Sequence, residues 1–198
     1  MTQATATLGF RAHTGWAAAV ALAGPPAAPR VIDRRRLELA APGGSADWYH
    51  QARELSGAAA ARKVREGSAD AHKRARAAVR ALIEQLAAQG YRVVASGLPL
   101  GNTRLPSSLE AILRSHALVH SAEGELFRQV LVSASEAAEL AVTGVPARQL
   151  YAQAAARLHL GEAELKRRLT DLGAAVGAPW GQDQKEAALS AWLALLGR

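Results

Sequence analysis

The order in which strand-like and helix-like segments follow one another is the feature that most restricts what this chain can fold into. The first forty residues contain three strand-like runs separated by the turn signals Thr14-Gly15 and Gly24-Pro25-Pro26. The predicted strands are Ala4–Arg11, Trp16–Ala23 and Arg30–Ala40. Because the connections between them are short, we expect these strands to form an antiparallel meander.

After the meander, helical segments alternate with two short strands. The predicted elements are a helical segment over 46–90, a strand over 91–95, a helix from 107 to about 140, a strand over 141–145, and helices over 146–158, 161–172 and 183–196. We expect Gly67-Ser68 to break the first helical segment in two. Strands joined through helices add in parallel by right-handed crossovers, so the order predicts an α/β fold with a mixed five-stranded sheet.

Composition excludes several kinds of protein. The 198 residues include no cysteine, which excludes disulfides, thiol catalysis and Cys-ligated zinc and leaves histidines and carboxylates as possible metal ligands. No run approaches the roughly 18 apolar residues of a membrane span, and Met1 to Arg11 lacks the pattern of a secretory signal. We therefore expect one cytoplasmic domain over residues 1–198 with no membrane partner.

The chain is basic, with a formal net charge of +7. A positive balance favours association with nucleic acid or another polyanion through long-range attraction. Arginine also outnumbers lysine, a bias that codon usage in a GC-rich genome produces without selection for a ligand. Charge alone therefore leaves open whether the basic residues bind a polyanion or only reflect that bias.

Two short motifs and the element order carry a family resemblance. The segment Leu8-Gly9-Phe10-Arg11, followed by Thr14-Gly15-Trp16-Ala17, is similar to the first hairpin of RuvC-type Holliday junction resolvases. The segment from Asp183 to Leu189 is similar to their last helix, with acids three residues apart and then small and apolar residues. The resemblance implies an RNase H-like fold over nearly the whole chain, in a bacterial protein related to nucleic-acid processing.

The acids that such a nuclease needs are incomplete in this sequence. Nucleases of this fold hold two divalent ions about 4 Å apart, and several carboxylates must converge on them. The resemblance places Arg11 where the family has its first-strand aspartate, and Ala95-Ser96-Gly97 offers no acid at the end of the fourth strand. Asp183 and Glu186 remain, although Asp-x-x-Glu before an apolar run also predicts a helix capping box. We therefore predict a protein without two-metal nuclease activity.

Three groups of residues are candidates for function. His116, His120 and Glu123 are spaced i, i+4 and i+7 on one predicted helix, which suits a metal ion or a solvated helix face. Cations suited to a phosphate backbone, or to a solvated helix face, are Arg11, Arg62, Lys63, Arg65, Lys73, Arg74, Arg76 and Arg80. Candidate catalytic acids under a nuclease hypothesis are Asp183, Glu186, Glu123 and Glu125.

Three functional hypotheses follow. The first is an RNase H-fold protein that binds nucleic acid, or a partner that processes it, without cleaving. The second is a nuclease dependent on Mg²⁺ or Mn²⁺ with unorthodox ligands, the only hypothesis that calls for a cofactor. The third is an interaction protein whose alanine-rich helices pair with another copy.

Overall fold

The computed structural model describes residues 3–197, and Met1, Thr2 and Arg198 lie outside the described residues. A five-stranded mixed sheet forms its centre. The strands are β1 (Ala4–His13), β2 (Trp16–Ala23), β3 (Arg30–Glu38), β4 (Tyr91–Leu100) and β5 (Ala141–Pro146). They lie in the order β3-β2-β1-β4-β5.

The strand pairing confirms the predicted mixed sheet. β1 pairs antiparallel with β2, and β2 pairs antiparallel with β3. β1 and β4 are parallel, as are β4 and β5. The fourth strand extends five residues beyond its predicted end at Ala95, although it includes Pro99. The ladder between β1 and β4 ends at Gly97, so the missing N–H of Pro99 costs no bond to β1.

Four helices lie along one face of the sheet. They are α1 (Trp48–Ala52), α2 (Gly57–Ala88), α3 (Leu109–Leu113) and α4 (His116–Ala137). The predicted break at Gly67-Ser68 is wrong, since α2 runs through it and the chain instead bends between α1 and α2. Gly67 serves packing: a Cβ there would lie 2.2 Å from Cδ2 of Trp48. The helix predicted from 107 to about 140 is also divided in two, with Ser115 as the N-cap of α4.

The opposite face of the sheet carries the C-terminal helices. After a short 3-10 turn at Ala147–Gln149 come α5 (Leu150–Leu158), α6 (Glu162–Ala174) and α7 (Gln182–Leu196). Helix α7 lies directly on the central strands, where Gly9 and Gly97 are register partners. A Cβ on Gly9 would come 1.8 Å from the Ala187 carbonyl oxygen, and one on Gly97 would come 2.2 Å from that of Ser190. The two glycines therefore allow α7 to approach the sheet backbone.

The two helical layers bury separate cores on the two faces of the sheet. Leu8 and Phe10 of β1 pack with Phe127 of α4 on one face. Val20 and Leu22 of β2 pack with Trp192 of α7 on the other. Within residues 3–197, no helix is long and apolar enough to cross a membrane.

Candidate functional site

Alternate residues of β1 face α7 and line the contact between strand and helix. Along β1, these residues are Thr7, Gly9, Arg11 and His13. The Thr7 hydroxyl donates a hydrogen bond to the Ala191 carbonyl at 2.8 Å. The strand and the helix run in opposite directions, so each step of two residues along β1 meets roughly one turn of α7. Arg11 and His13 are therefore brought to the first turns of α7.

Arg11 forms an ion pair with Glu186. Its Nε lies 2.6 Å from Oε2 of Glu186, with the two side chains 29% and 18% exposed. The Nε–H is not aligned for a hydrogen bond within the described residues, whereas Nη1 donates to the Ala12 carbonyl at 3.1 Å. The other carboxylate oxygen of Glu186 accepts a hydrogen bond from Gln182 at 2.8 Å. Both oxygens of Glu186 thus already have partners within the chain.

His13 contacts the second acid of α7. Its Nε2 lies 2.8 Å from Oδ1 of Asp183. The imidazole is stacked on the Trp16 ring, with centroids 4.3 Å apart and planes 8° from parallel. The guanidinium of Arg36 lies over the Trp16 ring, with its Cζ 4.0 Å from the ring centroid. This stack fixes the His13 ring against Asp183.

The residues at this position do not fit a two-metal centre. Two divalent ions need several carboxylates in close proximity to neutralise them. The neighbouring positions of β4 on the same face are Ala95 and Gly97, the register partners of Thr7 and Gly9. None of these β1 or β4 positions carries a carboxylate, and Arg11 places a positive charge among them. Among residues 3–197, the acids at this position are Asp183 and Glu186, and each contacts a basic side chain.

The expected capping role of Asp183 is wrong. Helix α7 begins at Gln182 with Gly181 as its N-cap. The amide oxygen of Gln184 accepts a hydrogen bond from the Gly181 N–H at 2.9 Å, as the third residue of the helix does in a capping box. Asp183 lies inside the first turn, which leaves its carboxylate free to contact His13.

The other two candidate acids lie on α4, in the layer across the sheet from α7. Glu123 is buried, and its carboxylate accepts a hydrogen bond from the Tyr49 N–H of α1. Burial raises the pKa of Glu123 to about 7, against the lowering effect of the backbone N–H groups of Tyr49 and His50. Glu125 instead contacts Arg128, with Nε and Oε2 3.0 Å apart. The four candidate catalytic acids therefore do not converge.

The structure groups His116 and His120 with a histidine that the sequence did not single out. His50 of α1 joins them, and each ring offers a nitrogen within 4.8 Å of the other two. The ring centroids of His50 and His120 are 4.4 Å apart, and those of His116 and His120 are 4.3 Å apart. Glu123, the third predicted member, is not part of this group because its carboxylate turns inward to the N-terminus of α1. Within residues 3–197, no other group of three or more histidines and acids is so close together.

The basic segment forms a stripe of cations along α2. This cation stripe consists of Arg62, Arg65, Lys73, Arg76 and Arg80, all exposed and on the side of α2 opposite its buried residues. Lys63 and Arg74 lie at its flank, half-buried, and Arg74 pairs with Asp70 at 2.7 Å. Arg11 belongs to the α7 contact rather than to this surface. Among residues 3–197, no acid lies within ion-pair distance of any member of the stripe.

Comparison with known proteins identifies the fold. No protein-family model and no curated protein sequence matches the chain. The structure is similar to that of Thermus thermophilus RuvC in complex with a Holliday junction substrate, with a TM-score of 0.55 and 12% sequence identity over 95% of this chain and 90% of that one. A second Thermus thermophilus RuvC structure matches with a TM-score of 0.51 and 13% identity over 94% and 91% of the two chains.

The protein therefore has an RNase H-like fold. Within that class, its arrangement of elements is the one found in RuvC. The fold expected from element order is confirmed.

Proposed function

We propose that this protein binds nucleic acid through α2 and does not cleave it. The observation that carries the proposal is the cation stripe. From Arg62 to Arg80 the stripe spans 18 residues of one helix, or about 27 Å at 1.5 Å per residue. That length corresponds to about eight steps of duplex DNA.

The cations of the stripe form no ion pair among residues 3–197, whereas several exposed cations elsewhere in the molecule are paired with acids. On α6, Lys166 lies 2.6 Å from Glu162 and Arg167 lies 2.5 Å from Glu164. Arg114, beside α3, likewise pairs with Glu110. Cations that are not held in ion pairs are available to phosphates, and the counterions released from the nucleic acid make such binding sensitive to salt.

The absence of cleavage is proposed from the α7 contact. Asp183 and Glu186 are the acids that a nuclease of this fold would need, and they contact His13 and Arg11. A divalent ion would have to displace an ion pair and then bind beside a guanidinium. We infer that the fold has kept a binding role without the metal-dependent chemistry.

The test is a salt titration of binding to branched, duplex and single-stranded DNA and RNA. The branched substrate comes first because the RuvC structure that resembles this chain holds a Holliday junction. The stripe variant is Arg62→Gln, Lys73→Gln and Arg80→Gln, three exposed positions within about 20° of one another on the helix. The matched control is Arg114→Gln, Lys166→Gln and Arg167→Gln, which removes the same charge from ion-paired sites.

We expect the stripe variant to lose at least tenfold in affinity at low salt, while the control stays within about threefold of the unaltered protein. On duplex DNA, the salt slope should fall by about 0.9 for each phosphate contact that is lost. Equal losses in the two variants would show a net-charge effect and contradict a site on α2. Failure of the unaltered protein to bind any of these nucleic acids would refute the proposal and favour a protein partner.

A further inference from the structure

The three histidines that meet beside α4 form a cluster unrelated to the α7 acids. His50 comes from α1, and His116 and His120 come from the first turns of α4. We propose that His50, His116 and His120 bind one Zn²⁺ ion. This metal site is separate from the catalytic position of the fold, since α1 and α4 cover the face of the sheet opposite α7.

The spacing of the three imidazoles suits a common ion. Nitrogens at about 2.05 Å from a tetrahedral zinc ion are separated by about 3.4 Å. The candidate nitrogens already lie within 4.8 Å of one another. His116 and His120 are exposed, so small rotations of their side chains can close the remaining distance.

His50 supplies a second observation that points to a ligand. Its Nδ1 is buried and has no hydrogen-bonding partner among residues 3–197. A buried polar atom without a partner costs free energy. A metal ion bound at this ring, together with its other ligands, is one means of giving that atom a partner. The two histidines of α4 alone would be an ordinary exposed pair at i and i+4.

His50 is held in place by the buried contacts of its neighbours in α1. Trp48, two residues before His50, packs against Gly67 of α2 and stacks on Phe127 of α4 with ring centroids 5.5 Å apart. The Glu123 carboxylate accepts the N–H of Tyr49, the residue between them. Glu123 is therefore a positioning residue for His50. These contacts join α1 to α4 and fix the geometry of the cluster.

The donor set indicates which metal is preferred. Three neutral imidazoles suit Zn²⁺ and other late transition metals, whereas Mg²⁺ and Ca²⁺ prefer carboxylate and carbonyl oxygens. Three protein ligands also leave the fourth tetrahedral position for water or for a ligand, as in zinc sites that are open to solvent.

The experiment measures metal binding directly, on tag-free protein stripped with a chelator. Titration with Zn²⁺ followed by calorimetry should give one equivalent per chain, and Co²⁺ should give the visible absorption of a tetrahedral site. His116→Ala and His120→Ala are exposed and should fold normally, so each tests the site without disturbing the core. We expect each to weaken Zn²⁺ binding at least tenfold, with loss of the Co²⁺ signal.

His72→Ala is the matched control, because His72 lies on α2 away from the cluster and its ring nitrogen Nδ1 lies 2.9 Å from the Ser68 carbonyl oxygen of the same helix. It should leave Zn²⁺ affinity unchanged. The absence of stoichiometric Zn²⁺ binding to the unaltered protein would overturn the proposal. So would an equal loss in His72→Ala, or full binding in both α4 variants.

Discussion

Nε of Arg11 lies 2.6 Å from the Oε2 carboxylate oxygen of Glu186, at the point where the first strand meets the last helix. The resemblance to RuvC-type resolvases places an aspartate at the position of Arg11. An ion pair within the chain therefore occupies the position where that resemblance implies a metal-binding acid. Both acids of α7 contact basic side chains of β1, Glu186 that of Arg11 and Asp183 that of His13.

The Arg11–Glu186 pair should contribute measurably to stability. In a double-mutant cycle with Arg11→Met and Glu186→Gln, we expect a coupling energy of about 1 kcal/mol, since both groups are partly buried and less screened than surface pairs. Urea denaturation of the four proteins measures it. Additive effects of the two substitutions, to within the error of the titrations, would argue against the pair.

The approach of α7 to the sheet should be sensitive to a single methyl group. Gly9→Ala places a Cβ against the backbone of Ala187, which cannot move aside as a side chain can. We expect a loss of 3 kcal/mol or more, roughly the upper range for overpacking. Gly197→Ala, with only the Ala194 carbonyl oxygen at 3.7 Å, is the control and should change stability by less than about 0.5 kcal/mol. A mild effect at Gly9 would mean that α7 is not seated on the strand.

Glu123 should stabilise α1 by accepting its backbone N–H groups. Replacement with leucine leaves a buried N–H unpaired, so Glu123→Leu should cost about 2 kcal/mol and weaken Zn²⁺ binding through displacement of His50. Glu123→Gln keeps an acceptor oxygen and should retain Zn²⁺ affinity within a few-fold. Denaturation and zinc titration on the same preparations test the two effects. If both variants bind Zn²⁺ equally well, Glu123 does not position His50.

Zinc should stabilise the folded chain by mass action. At a free concentration one hundred times its Kd, Zn²⁺ should raise the free energy of unfolding by about 2.7 kcal/mol. At the same Zn²⁺ concentration the rise should fall to about 1.4 kcal/mol or less in His116→Ala, whose affinity is at least tenfold weaker, and it should be retained in His72→Ala. Denaturation with buffered Zn²⁺ and with chelator provides the comparison, and a rise of the same size in His116→Ala would place the zinc elsewhere.

Element order was enough to predict the fold because strand and helix periodicities are local properties of the sequence. The detailed boundaries depended on tertiary packing that no local pattern shows. Gly67 has the sequence appearance of a helix break, yet it lies inside α2 because Trp48 needs the space that a side chain would fill.

For the candidate sites as well, some features could be predicted from the sequence and others depended on tertiary packing. The predicted first strand ends at Arg11, whereas β1 runs on to His13, so the contact of His13 with Asp183 was not predicted from the sequence. The grouping of His50 with His116 and His120 could not be predicted, since His50 comes from another helix more than sixty residues earlier. The i+7 spacing of Glu123 from His116 suggested a third ligand. In the structure its carboxylate is buried and accepts a hydrogen bond from the backbone of α1 instead.

Binding without cleavage is tested by an assay of retention and cleavage on a branched DNA junction at low salt, with and without Mn²⁺. The protein and its Asp183→Asn variant are compared side by side. We expect both proteins to retain uncut junction in a salt-sensitive manner, with no effect of Mn²⁺ on the products. Mn²⁺-dependent cleavage by the unaltered protein that disappears in Asp183→Asn would contradict this expectation.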